Sequence, residues 1–207
     1  MWHKHPNPEI DLAIAPIGDL LLQAENDGSA PFYISLHQEV VANQSYLLDM
    51  DAIENIVMIG YPTGVYDQSN NLPIVRRGTT ASRIGLDYNG KPEFLIDCAC
   101  FPGSSGSPIF QYDTGPKLTR EGNMDIGAVR LKFLGILWGG PTYDANGEIK
   151  AIPIQTDTKH VSITKVMTNL GFCIKATEIE AFRQVFSKES PPAGRGYSVL
   201  NYVLPVS

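Results

Sequence analysis

The chain predicts an all-β fold, a barrel or sandwich of short strands, on three observations. Its apolar residues fall in short runs separated by Gly, Pro, Asn and Asp, with 19 glycines and 15 prolines in 207 residues. Several runs alternate with a period of two, as half-buried strands do. Only one segment, Thr177 to Phe186, carries a helical period.

The elements follow in chain order. Ile10 to Ile17 reads as a strand, with Ile10, Leu12 and Ile14 alternating against Asp11, Ala13 and Ala15. Phe32 to Leu36 is a second strand. Ile56 to Ile59 is a third, stopped by Gly60-Tyr61-Pro62. Asp67 to Pro73, rich in Asn and Ser, is a loop. Arg83 to Leu86 and Glu93 to Ile96 flank Asp87-Tyr88-Asn89-Gly90, and Asn-Gly is a hairpin signal. Ser107 to Tyr112, Val129 to Trp138 and Glu148 to Pro153 continue the series, with a further turn at Asn146-Gly147. In the helix, Thr177 and Glu180 fit a capping box, and Ile179, Phe182 and Phe186 form its apolar stripe. Ser187 to Gly196 is a connector, and Tyr197 to Val206 is expected to return as an edge strand.

Composition excludes several classes. Apolar residues make up 43% of the chain and charged residues 18%, ordinary values for a globular protein. A net charge of -6 and scattered Lys and Arg provide no basic patch to meet phosphates, so no nucleic-acid partner is expected. Arg76-Arg77, the sole adjacent arginines, read as a solvated loop. No apolar run is long enough to span a membrane. Three cysteines, Cys98, Cys100 and Cys173, are too few and too odd in number for a disulfide framework. They read as buried free thiols and favour a reducing, cytoplasmic compartment. No metal site is expected, since no second Cys/His pair sits at ligand spacing, and no cofactor is implied.

Chemistry concentrates in Asp97-Cys98-Ala99-Cys100-Phe101-Pro102-Gly103-Ser104-Ser105-Gly106-Ser107-Pro108-Ile109-Phe110. A turn of small residues between two apolar strands exposes a serine hydroxyl and gathers backbone N–H groups, the two requirements of acyl transfer. The elbow of α/β-hydrolases does not fit, because position 107 holds serine where that pattern needs glycine and no helix follows.

Gly103-Ser104-Ser105-Gly106-Ser107-Pro108 resembles the nucleophile signature of trypsin-like serine proteases, closest to the bacterial HtrA/Deg group. Four other segments resemble the family in order: Asp11-Leu12-Ala13-Ile14, Gly60-Tyr61-Pro62, Leu134-Gly135-Ile136-Leu137, and Leu170-Gly171-Phe172-Cys173-Ile174 with its following helix. Asp11 stands 94 positions before Ser105, near the roughly ninety of the chymotrypsin template. The resemblance implies a trypsin-like double β-barrel: residues 1–52 as a remnant of the first barrel, 53–186 as a complete second barrel with its C-terminal helix, and 187–207 as a tail. It implies a serine endopeptidase acting on peptides or proteins. Ser105 would be the nucleophile, Asp11 the residue orienting the histidine, and the N–H groups of Gly103 and Ser105 the oxyanion hole. Ala99, Phe101, Pro102, Gly171 and Phe172 would border the substrate. The position six before the nucleophile, acidic in proteases that prefer Lys or Arg, is Ala99, which points to a small or medium apolar preference.

One departure matters. In the family the histidine precedes the aspartate by about 45 residues, and only ten residues precede Asp11. His3 and His5 lie on the approach to the Asp11 strand, and His37 and His160 follow it. The expectation is a chain lacking its general base and therefore essentially inactive, either truncated at its N-terminus or a shortened relative that binds peptides without cleaving them. The missing strands are expected to leave an open barrel edge, through which the chain would add a peptide strand or form a homodimer.

Overall fold

A computed structural model describes residues 2–118, 122–125, 129–148 and 161–183. Six of its strands carry the fold: Asn55–Gly60 (β1), Ile74–Thr80 (β2), Glu93–Asp97 (β3), Pro108–Thr114 (β4), Val129–Gly139 (β5) and Leu170–Lys175 (β6). All pairings are antiparallel, in the order β6-β3-β2-β1-β4-β5, and β5 pairs with β6 to close the barrel. β1, β2 and β3 are consecutive neighbours and β4 returns beside β1, a Greek key.

The period of two sorts side chains between two cores. Ile56, Met58, Ile96, Ile109, Leu137 and Cys173 fill the barrel with Cys98 and Cys100. Val57, Ile59, Phe110, Phe133, Ile136, Trp138 and Ile174 form an apolar outer strip on β1, β4, β5 and β6, joined by Leu12, Ile179 and Phe182. The N-terminal segment and the C-terminal turn therefore pack on the outside of the barrel. Each fully buried large side chain among these contributes roughly 1.5–3 kcal/mol, and the partly buried Val57, Ile59, Ile136 and Trp138 contribute less. All three cysteines are buried and free, as their apolar setting predicts.

Several elements differ from expectation for physical reasons. Ile10–Ile17 holds only Ala13–Ile14 as strand, paired with His3–Lys4. Pro16 cannot donate to a ladder, and a helix, Gly18–Asn26 (α1), begins at Gly18. Phe32–Leu36 is not a strand, and Phe32 is 91% exposed. A second helix, Gln44–Asp49 (α2), is capped by Asn43, whose Oδ1 accepts from the Tyr46 N–H at 2.9 Å. Arg83–Leu86 is a turn rather than a strand. The Asn89-Gly90 turn forms, with both residues at positive φ, but it is closed by an isolated bridge between Tyr88 and Lys91 and not by the strand expected at Arg83–Leu86. Asn146 and Gly147 are not a turn: they pair with Ile163 and Ser162 within a ribbon of Thr142–Glu148 and Val161–Met167. The C-terminal segment winds as a 3₁₀ turn, Ala176–Phe182, instead of an α-helix. Most of Glu148–Pro153, residues past Arg183, the 187–207 tail and His160 lie outside the described residues.

Every strand of this barrel is paired on both sides, as expected of the complete barrel at 53–186. Residues 2–52 contribute no barrel strand. Among the described residues the architecture is mostly β, one closed six-stranded antiparallel barrel with few helices, and no described helix is long and apolar enough to cross a membrane.

Candidate functional site

Antiparallel pairing brings the C-terminal ends of β1, β3 and β5 and the N-terminal ends of β2, β4 and β6 to one end of the barrel. The connection from Asp97 to Pro108 crosses that end, carrying the serine-rich turn.

Backbone bonds fix the turn. The Ser104 N–H donates to Phe101 O at 3.0 Å, and the Ser107 N–H to Ser104 O at 3.1 Å. β5 holds the far side: Gly106 N–H donates to Leu137 O at 2.7 Å and Leu137 N–H to Ser107 O at 2.9 Å. The segment Pro62–Gly64 holds the near side, with Thr63 N–H donating to Pro102 O at 2.7 Å. Thr63 is left-handed, φ 48°, an uncommon state for a β-branched residue. Ser107 packs so closely on Gly60 that a Cβ there would lie 2.0 Å from Ser107 Oγ.

Two serines of the turn are buried and one is not. Ser104 and Ser107 point into the protein, while Ser105 is exposed. Its hydroxyl donates to Trp138 O at 3.1 Å. The N–H groups of Gly103 and Ser105 donate to nothing among the described residues, although those of Ser104, Gly106 and Ser107 are all used. The turn thus presents one free hydroxyl oxygen lone-pair set and two uncommitted amide donors, since exposed amides otherwise bond to water.

Asp11 is exposed and has no hydrogen bond or ion pair among the described residues. The adjoining Leu12 belongs to the same apolar strip as Trp138, whose carbonyl receives the Ser105 proton. No described histidine bonds to Ser105. His5 is buried and committed elsewhere: its Nδ1 accepts the Asn7 N–H at 3.1 Å, its Nε2 lies 3.5 Å from Glu178 Oε2, and its ring meets Phe182 edge-on. Burial raises the Glu178 carboxyl above its usual range, and the neighbouring His5 opposes this. His3 lies in the strand pair with Ile14, and His37 is exposed.

The residues expected to border a substrate divide. Phe101 and Pro102 are exposed beside the turn, and Ala99 is half-buried. The Phe172 ring stacks on Trp138 at 5.6 Å between centroids and leans on Tyr88. Gly171 faces the barrel interior instead: a Cβ there would stand 2.6 Å from Leu137 Cδ1 and 2.7 Å from Cys100 Sγ, so its smallness serves packing.

Sequence reasoning missed Arg76. Arg76 and Arg77 are not in a solvated loop; they lie in β2, on opposite faces. Arg76 pairs with buried Met58 and so faces inward. Its guanidinium donates through Nη1 to Ala99 O and through Nη2 to Ser104 Oγ, the latter at 3.1 Å. Burial lowers its pKa from the usual arginine value. The available signal was alternation: Arg76, Gly78 and Thr80 occupy one face of the strand.

Among the described residues no group of His, Cys, Asp and Glu is arranged to hold a metal ion. Compared with known family models, curated proteins and solved structures, the chain matches none. Fold and site together define a closed antiparallel β-barrel protein with an exposed serine at one barrel end.

Proposed function

We propose that the chain is the nucleophile-bearing part of a trypsin-like serine endopeptidase of the HtrA/Deg kind, its barrel the second of the two in that fold. The reading is carried by one observation: Ser105 stands exposed on a braced turn whose Gly103 and Ser105 amides are uncommitted. In the proposed reaction Ser105 Oγ bonds to the carbonyl carbon of a peptide substrate. The resulting oxyanion accepts from the N–H groups of Gly103 and Ser105, donors worth on the order of 3 kcal/mol each. Collapse of the intermediate breaks the C–N bond, and the leaving amine takes up a proton. Water then hydrolyses the acyl-serine. Asp11 would orient the histidine that receives the Ser105 proton. No described histidine bonds to Ser105, and without such a base the chain retains only the residual catalysis of binding and the oxyanion hole, about 10³–10⁴ over water.

A second reading, a peptide-binding module that does not cleave, draws on the same site: the Ser105 proton points to Trp138 O, with no described histidine to take it.

Imidazole in solution can supply the missing base. Hydrolysis of an N-acyl-peptide nitrophenyl ester by the wild-type chain should rise with imidazole above the rate of the Ser105→Ala variant, with acylation located at Ser105 by mass spectrometry. Identical rates for the two proteins at every imidazole concentration would remove the peptidase reading and leave the binding module.

A further inference from the structure

The site contains a cation with no counter-ion among the described residues. Arg76 enters the barrel end from β2, close enough to buried Cys98 and Cys100 to interact electrostatically, and its guanidinium lies against the serine turn. Both hydrogen bonds that it makes go to neutral acceptors, Ala99 O and Ser104 Oγ. Its Nε–H is buried and unpartnered. Among the described residues no carboxylate comes within ion-pair distance of it, in a chain with 22 acidic residues. The flanking thiols of Cys98 and Cys100 are held neutral by burial and offer no negative charge. Arginine stays charged at any accessible pH. A partly desolvated charge without a partner is costly, and such groups concentrate where a ligand completes them.

The position matters as much as the charge. Ala99 is six residues before Ser105, where a protease selecting basic side chains carries an acid. Here the carbonyl of that residue is bonded to a guanidinium, so the electrostatic sign is reversed. With one hydrogen of each Nη group used, each nitrogen retains a second, and a guanidinium edge matches a carboxylate in both shape and charge.

We propose that Arg76 determines specificity, receiving the carboxylate of an aspartate or glutamate side chain on the peptide residue whose carbonyl faces Ser105. This inference rests on the peptidase reading and replaces the apolar preference suggested by Ala99 alone. Arg76 also braces the turn, but a brace alone would treat all peptides alike.

The test needs binding, not turnover. N-acetyl tetrapeptide amides that differ only in the last residue, Glu, Gln, Lys or Leu, are titrated into the ¹⁵N-labelled full chain while the Gly103 and Ser105 amide resonances are followed. The Glu peptide should bind about tenfold tighter than the Gln peptide at low salt, as a charge-assisted bond predicts. The preference should shrink in high salt, and it should vanish when the peptide carboxylate is protonated. Arg76→Gln should abolish the Glu-over-Gln preference whatever it does to the neutral peptides, and Arg76→Lys should keep part of it. Equal binding of Glu and Gln peptides, or an equal loss of all peptides in Arg76→Gln, would overturn the assignment and leave the peptidase reading standing. If no peptide shifts either resonance, both fall. The wild-type Glu-to-Gln ratio and its pH dependence decide the matter even if Arg76→Gln does not fold.

Discussion

The φ of +82° at Gly103 and the 2.9 Å between its absent Cβ and Thr63 N are separate demands on one residue. The first excludes most L side chains on torsional grounds. The second would push the turn off Pro62–Gly64, where the Thr63 N–H holds Pro102 O. Gly106 provides the control, since its φ is +87° but nothing lies within 4 Å of a Cβ there. Gly106→Ala should cost the torsional term alone, about 1–2 kcal/mol. Gly103→Ala should cost measurably more by denaturant unfolding, and it should also broaden or shift the Thr63 amide resonance. Equal losses in the two variants would mean that the turn does not depend on its contact with Thr63. Arg76 poses a similar question of sign. A residue first read as a solvated charge proves to lie under the turn because its neighbour Arg77 occupies the other face of β2.

The two helices show how differently local signals and tertiary packing support an element. α2 has a side-chain cap from Asn43 and inserts Leu47 fully into the core. α1 has no side-chain cap at Ile17 and buries no residue. Short helices without packing are marginal in water, so α1 should exchange its amides at nearly the rate of an open chain, while α2 and the barrel strands exchange slowly. Native-state hydrogen exchange measures this directly, and protection in α1 comparable to β1 would show that it packs on something. The same contrast explains what was legible. β1 and β3 were readable because their inward positions are apolar, and β4 because Ile109 and Phe110 announce it despite the buried Gln111 on its inward face. β2 was not, because Arg76, Gly78 and Thr80 occupy its inward face and break the pattern. Asn146-Gly147 misled because a preferred turn pair was absorbed into a ribbon. Of the site, the serine turn was legible as a run of small residues, whereas Arg76, Thr63 and the Trp138 carbonyl come from segments distant in sequence and leave no local motif.

The barrel as a whole stores a dependence on pH in its core. Cys98, Cys100 and Cys173 are all buried, and burial, more than their mutual repulsion, raises their pKa values. Cys100 is raised to about 11 and Cys173 well above its usual value. In the unfolded chain these thiols titrate near 8.5. Above that pH the unfolded chain releases protons that the folded barrel still holds, so the folded state binds more protons and stability must fall as pH rises. The stabilisation from neutral thiols is complete below pH about 8.5 and is lost progressively towards pH 11, amounting to roughly 3 kcal/mol for Cys100 alone. Below pH 8 the same thiols should resist alkylation in the folded protein and react only on unfolding. Denaturant unfolding of wild type and Cys100→Ala from pH 7 to 11 separates this effect from the titration of lysines and tyrosines common to both. The variant starts less stable, because it leaves a small void, but its curve should be flatter by about one proton over that interval. Parallel curves would mean that Cys100 is ionised as readily inside the barrel as outside it, which a dry core does not allow.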